Sequence, residues 1–121
     1  MATFEIDGKE YDLKLTFPSV KYLNGQLQGG QMEVIGKALM ADLEFFPHVV
    51  HAGLFHTDEK FTYKKVEKAI EKAFDDEKLD ASDMMRISNE VVTDSFFYRK
   101  LTEKLLAESP EAAEALKKLA N

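Results

Sequence analysis

Three histidines lie close together in the middle of the chain, and they are the residues best suited to metal chemistry. His48, His51 and His56 are followed by two acidic residues, Asp58 and Glu59. A helix would place His48 and His51 on one face, where two imidazoles could bind a transition metal. The spacing matches no recognised zinc pattern, however, and the surrounding segment is apolar. We therefore interpret these histidines as core or surface residues, and we expect no metal site.

The remaining polar clusters also lack the pattern of a catalytic or cofactor site. The carboxylates between Asp75 and Asp80 lack the glycine of a calcium-binding EF-hand loop, so a solvated turn with a helix cap is favoured. Gly29 and Gly30 have neither the lysine of a P-loop nor the third glycine of a dinucleotide fingerprint. The chain has no cysteine, and none of its serines lies in a nucleophile elbow. We expect a protein that is not an enzyme and needs no cofactor.

The charge balance argues against a nucleic-acid partner. The chain of 121 residues has 22 acidic and 16 basic residues and a net charge of −6, so its field repels a phosphate backbone. Lysines 64, 65, 68 and 72 alternate with Glu67 and Glu71, which is typical of a solvent-exposed helix face. The sequence has no apolar segment of membrane-spanning length and no signal-peptide pattern at its start. We expect a cytoplasmic protein with no membrane association.

A β-hairpin is predicted at the N-terminus. Residues 3–6 and 11–15 alternate apolar and polar side chains on either side of Asp7 and Gly8, and such alternation around an Asp-Gly pair is typical of a hairpin. Helical signals follow, without an internal repeat or a long linker. We therefore expect one mainly α domain over residues 1–121, with a hairpin at residues 1–16 and a bundle of about five to six helices at residues 17–121.

Capping residues and apolar spacing locate the first four helices. The first is expected to begin at Pro18 and end near Gly25, and the third to begin near Pro47 and to be buried. Thr62 is a suitable N-cap for the fourth helix. Four residues of the second helix have helical spacing and are expected on its inner face: Met32, Ile35, Leu39 and Leu43.

A fifth, long helix is predicted from Asp80 or Ser82 to about Glu108, with a short helix after it through Leu119. The apolar residues of the long helix cover roughly 220° of its circumference, which is more than one packing partner can cover. Either this helix is central in the domain, or part of its surface is reserved for another chain. The residues of this apolar arc are Met85, Ile87, Val91, Val92, Phe96, Tyr98, Leu101 and Leu105.

Four segments of the chain carry a resemblance to a known family. They read FEIDGKEYDLKLTF from Phe4, VIGKALMADL from Val34, VVHAGLFH from Val49 and RISNEVVTDSFFYRK from Arg86. With these segments the chain resembles, over nearly its full length, the tail assembly chaperones of long-tailed (siphovirus) bacteriophages and prophages of Gram-positive bacteria. The likeness extends over whole segments and includes no catalytic motif.

The resemblance implies a function and a set of partners. Such a chaperone binds the helical tape measure protein in the cytoplasm of the bacterial host and keeps it soluble while the tail tube assembles, and it is absent from the mature virion. The family commonly makes a longer, frameshifted product that helps to recruit the tail tube protein, and its members can form homo-oligomers. This chain would correspond to the shorter product.

The resemblance supplies no short binding motif, so the candidate contact residues come from the sequence pattern. Large apolar side chains near helix ends or on the wide arc could anchor a partner, although each would also suit the core. They are Phe45, Phe46, Phe96, Phe97 and Leu101. Two other functions remain open, namely a structural tail completion or connector protein and a helical binding module unrelated to phage.

Overall fold

The computed structural model describes residues 1–109 and Glu111, and within them a two-stranded antiparallel sheet precedes six α-helices and one π-helical segment. This confirms the predicted mainly α fold with an N-terminal hairpin. The predicted helix through Leu119 falls almost entirely outside the described residues. The elements are β1 (Thr3–Ile6), β2 (Lys9–Asp12), α1 (Phe17–Gly25), α2 (Gly30–Leu39), α3 (Phe46–Gly53), α4 (Tyr63–Asp75), α5 (Ala81–Ser88), the π-helical segment (Asn89–Thr93) and α6 (Phe96–Glu108).

The hairpin turns at Asp7 and Gly8, which both have positive φ angles, of 54° and 81°. Two such residues form the type I′ turn that suits the twist of paired strands. The turn starts the pairing at Lys9, opposite Ile6, so β2 covers Lys9–Asp12 and not the predicted residues 11–15. The chain then leaves the hairpin, and the Lys14 amide donates a hydrogen bond to the Gly53 carbonyl at 3.0 Å.

α1 is fixed by a capping box at its start. The Ser19 amide donates to Thr16 Oγ1, and the Thr16 amide donates to Ser19 Oγ at 3.0 Å, which satisfies two backbone groups at once. Ser19 is fully buried, and its hydroxyl donates to the Ala52 carbonyl at 2.8 Å. This bond joins the start of α1 to the end of α3, and the predicted helix between Pro18 and Gly25 is confirmed.

α2 packs with a face that only partly matches the predicted one. Its buried residues are Val34, Ile35 and Ala38, whereas Met32 is exposed. The helix ends at Leu39 because Ala41 adopts a positive φ of 50°, which an α-helix cannot continue through. Leu43 therefore lies beyond α2, where it is exposed. Among the four predicted residues, only Ile35 is fully buried, and Leu39 is partly buried against the core.

The centre of the core is α3, which is buried along most of its length, as predicted. Phe46, Val49, Val50 and Ala52 are each at most 1% exposed, and the helix contacts α1, α4, α5 and the π-helical segment. A helix that is apolar on most sides needs neighbours on most sides. α3 lies between four other elements and packs against each of them.

The predicted long helix is wrong, because the chain breaks between Asp80 and Glu108. α5 begins after Asp80, whose carboxylate accepts from the Asp83 amide at 2.8 Å. It passes into the π-helical segment, and Ser95 then takes an extended conformation with ψ of 156° before α6 starts. A π-turn holds about one residue more than an α-turn, so the side chains after it no longer follow the α-helical pattern. Ile87, Val91, Val92 and Tyr98 are buried as expected, but Phe96 is 91% exposed.

Candidate protein-protein interface

The first turn of α6 is held in place by one buried tyrosine. Tyr98 is fully buried, and its hydroxyl donates to Asn24 Oδ1 at 2.9 Å. Burial raises the Tyr98 pKa to about 12, so the hydroxyl keeps its proton at neutral pH. The Asn24 amide in turn donates to Gln31 Oε1 at 3.4 Å. These bonds place the start of α6 beside the end of α1 and the start of α2.

Two phenylalanines project from this fixed turn. The side chain of Phe96 is 91% exposed and that of Phe97 is 46% exposed. The Phe97 ring packs edge-on against the Tyr98 ring, with 5.0 Å between centroids and an angle of 89°. We call Phe96 and Phe97 together the α6 aromatic surface. It offers large apolar area to solvent on a turn that is anchored to the core, which is the arrangement expected of a binding site.

The rest of α6 is attached to the protein along one narrow stripe. Tyr98 and Thr102 are its only buried residues, and Leu101 and Leu105 are partly buried against the core. The helix contacts the π-helical segment and α2. At the start of the helix the Arg99 guanidinium donates two hydrogen bonds, of 3.0 and 3.2 Å, to the Asp94 carbonyl. Most of the surface of α6 therefore faces solvent and is accessible to a partner.

The five residues predicted as partner contacts do not form one cluster. Phe45 and Phe46 lie in the core, at 4% and 1% exposed, because they lead into the central helix α3. Neither side chain is on the surface of the free protein, and their contact with a partner stays a prediction that the structure does not favour. Phe96 and Phe97 are exposed, and Leu101 on the same helix is partly buried. The sequence reasoning did not single out several other exposed apolar residues, namely Phe17, Met40 and Phe74.

The histidines that suggested metal chemistry belong to an aromatic cluster between α1, α3 and α4. The His48 ring stacks on Tyr63, with 4.6 Å between centroids. His51 meets the rings of Tyr22 and Phe55 edge-on, at 5.3 and 5.0 Å. Within residues 1–109 and Glu111, no three histidine or acidic side chains are grouped so that they could hold a metal ion. The cluster joins three helices through aromatic packing, which stabilises such contacts beyond simple burial.

The protonation states in this cluster follow from its burial. Burial, with a smaller effect of Tyr63, raises the Tyr22 pKa to about 12. Burial lowers the pKa of His48, against an opposing effect of Glu67, and burial and His48 both lower the pKa of His51. At neutral pH both imidazoles are therefore uncharged, and the Tyr22 hydroxyl is protonated. It can donate to His48 Nδ1, which lies 2.6 Å away.

The burial of His48 and His51 predicts that the protein is less stable in weak acid. The pKa of both imidazoles is lower in the folded protein than the value of about 6.5 in an unfolded chain. The unfolded state therefore binds more protons below about pH 6.5, and the free energy of unfolding falls as the pH drops through this range. We expect a lower free energy of unfolding at pH 5.5 than at pH 7.5, measured by urea denaturation.

The variant His51→Phe should reduce this pH dependence and keep the stability at pH 7.5. Nδ1 of His51 is buried and makes no hydrogen bond with the described residues, so an apolar ring loses no hydrogen bond at that atom and preserves the edge-on packing. If the variant retained the full difference between the two pH values, the titration of His51 would not be its source.

None of the helices in the described part of the chain combines the length and the apolar character needed to cross a membrane. Comparison with protein families identifies a matching family. A model of the phage tail assembly chaperone protein family matches residues 3–106, a span that contains both strands, α1 to α5, the π-helical segment and all but the last two residues of α6. Comparisons with curated proteins and with solved structures each returned no match.

Proposed function

The chain belongs to the phage tail assembly chaperone family, since the family model covers residues 3–106 of its 121 residues, and we propose that it binds the tape measure protein and keeps it soluble while the tail tube assembles. A phage tail assembly chaperone acts in the host cell during tail assembly, and the role is not an enzymatic one. On this proposal the chain acts without a cofactor, reaches the tail tube protein directly or through a longer frameshifted product, and leaves before the virion is complete.

The exposure of Phe96 is the observation that best supports this function. A single exposed apolar residue is ordinary on a protein surface, but Phe96 lies beside a second exposed phenylalanine, two residues before the fully buried Tyr98. The turn that carries them is fixed by Tyr98 before binding, so its backbone loses little conformational freedom when a partner arrives. The two rings could insert between the apolar side chains of a long helix. Helices with one apolar face commonly bind to apolar surfaces in this way.

The charge of the chain suits a protein that must keep an apolar partner in solution. Its net charge of −6 gives a complex a charged outer surface and disfavours association between complexes. α6 has a different charge balance from the whole chain. It carries three cations, Arg99, Lys100 and Lys104, against Glu103 and Glu108. The proposed binding helix therefore does not share the excess negative charge of the whole chain.

Co-expression with the tape measure protein of the same genome tests the proposal. We expect the tape measure protein to move from the insoluble to the soluble fraction and to co-purify with an affinity tag on this chain. The experiment is run with the short chain alone and with the longer frameshifted product added. A tape measure protein that precipitates unchanged under both conditions would contradict the proposed function.

Two other functions were left open by the sequence. A helical binding module unrelated to phage does not agree with the family assignment. A structural tail completion or connector protein would remain in the virion, whereas a chaperone leaves it. Mass spectrometry of purified particles separates the two, and we expect tape measure peptides without peptides of this chain.

A further inference from the structure

A second apolar surface lies where α4 ends and α5 begins. The chain forms an open groove there, with a volume of about 600 Å³. Phe74, in the last turn of α4, is 67% exposed, and Leu79 is buried beneath. The groove is lined by Phe74, Asp75, Glu77, Leu79, Asp80 and Ala81. None of these residues belongs to α6, so the groove is separate from the α6 aromatic surface.

Backbone hydrogen bonds give the groove a fixed shape. The Lys78 amide donates to the Ala73 carbonyl at 2.8 Å, and the Glu77 amide donates to the Phe74 carbonyl at 3.0 Å. These bonds close the end of α4 and direct Leu79 back into the core, while Asp80 caps α5. Phe74 lies one turn beyond Ile70, the last large residue that α4 packs against the core. Its ring therefore remains uncovered beside a rigid turn.

The groove is surrounded by negative charge. Asp75, Glu77 and Asp80 line it, and no lysine or arginine of residues 1–109 does so. The two lysines nearest in sequence are directed elsewhere. Lys72 forms an ion pair with Asp76 at 2.8 Å, and Lys78 lines a different, smaller cleft of about 160 Å³ beside the hairpin. The carbonyl end of α4 adds further partial negative charge.

We propose that this groove binds a segment of a partner protein that carries one or two large apolar side chains flanked by lysine or arginine. The exposed Phe74 ring provides the apolar contact above a floor formed by the buried Leu79, and the three carboxylates select for positive charge on either side. An acidic segment and a nucleic acid are both repelled by the same carboxylates. The chain then offers two docking surfaces, and this second one does not depend on the function proposed for α6.

A labelled synthetic peptide tests the proposal by fluorescence anisotropy. The probe has two adjacent leucines flanked by lysines, and a comparison peptide has glutamates in place of the lysines. We expect the lysine peptide to bind, the glutamate peptide not to bind, and the affinity to fall as salt is raised. Phe74→Ser should weaken binding about tenfold. The double variant Asp75→Asn/Glu77→Gln should weaken it about threefold or more, because it removes two exposed charge contacts.

Matched variants separate the groove from the general acidity of the chain. Glu44→Gln/Asp58→Asn changes the net charge by the same amount at exposed positions outside the groove, and Phe96→Ser removes an exposed ring from α6. Both should keep the peptide affinity within about twofold of the original protein. Equal losses in these variants, or no binding of the lysine peptide, would overturn the proposal. Either result would leave the tape measure assay on α6 unaffected, so the two hypotheses fail separately.

Discussion

Replacing Phe96 with serine is expected to weaken binding to the tape measure protein at least about thirtyfold. An aromatic anchor at the centre of an interface commonly contributes about 2 kcal/mol or more to the free energy of binding. In the free protein the ring is 91% exposed, so the free energy of unfolding should change by no more than about 0.5 kcal/mol. Titrated affinity capture of the tape measure protein measures the first quantity, and urea denaturation measures the second.

Phe17→Ser is the matched control for this prediction. Phe17 is also a phenylalanine in the first turn of a helix, and it is 73% exposed, but it lies on α1 and outside the α6 aromatic surface. We expect this variant to capture the tape measure protein as the original chain does. Phe97→Ser should lower both binding and stability, because its ring also packs on Tyr98. Undiminished capture by the Phe96 variant, or an equal loss in the Phe17 variant, would rule out the α6 aromatic surface as the binding site.

Replacing Phe46 with alanine should lower the free energy of unfolding by about 3–5 kcal/mol. Phe46 is 1% exposed and begins α3, the helix that contacts four neighbouring elements. Truncation of the ring removes its apolar burial and leaves a cavity that the surrounding helices can fill only in part. Urea denaturation followed by circular dichroism measures the change, with the transition tested for two-state behaviour.

Phe96→Ala is the control for the Phe46→Ala prediction. The two positions hold the same residue type and both were candidate contacts from the sequence, yet one is in the core and the other is in solvent. The Phe96 variant should stay within about 0.5 kcal/mol of the original protein. Similar losses at both positions would mean that Phe96 is packed against the protein, and the proposed interface would then have to be abandoned.

The sequence predicted the elements whose starts are determined by neighbouring residues. Thr62 caps α4 through a hydrogen bond from the Lys65 amide at 3.1 Å, and Asp7 with Gly8 forms the predicted turn. Pro18 lies in the first turn of α1. These are interactions within a few residues, so the residue types alone indicate them. The fold class followed because local signals of this kind occur along most of the chain.

The break between α5 and α6 depends on packing that the apolar spacing does not reveal. Ile87, Val91 and Tyr98 have spacing that suits one continuous helix, and their burial is as expected. A π-helical segment is stabilised by tertiary contacts, here those of Val91 and Val92 with the core, and has little local signal of its own. Ser95, at the N-cap position of α6, was a local indication of the break, since serine is a favoured residue before the first turn of a helix.

The sequence indicated only part of the candidate interface, because packing decides which of its residues are exposed. Phe96 and Phe97 were chosen as large apolar residues of one long helix, with Phe96 on its wide apolar arc, but only the break decides that they face solvent in the first turn of α6. Phe45 and Phe46 look equivalent in sequence and lie in the core, because four elements converge on α3. The aromatic partners of His48 and His51 come from α1 and α4, and contacts over such a separation cannot be read from residue spacing.

The π-helical segment and the two residues after it uncouple α6 from the helical phase of α5. The π-turn takes up about one residue more than an α-turn, and Ser95 then adopts an extended conformation before α6 starts. The direction of Phe96 is therefore set by the packing of the neighbouring Tyr98 in the core and by its bond to Asn24. Recognition residues and core residues of α5 can thus change in sequence without one having to keep step with the other.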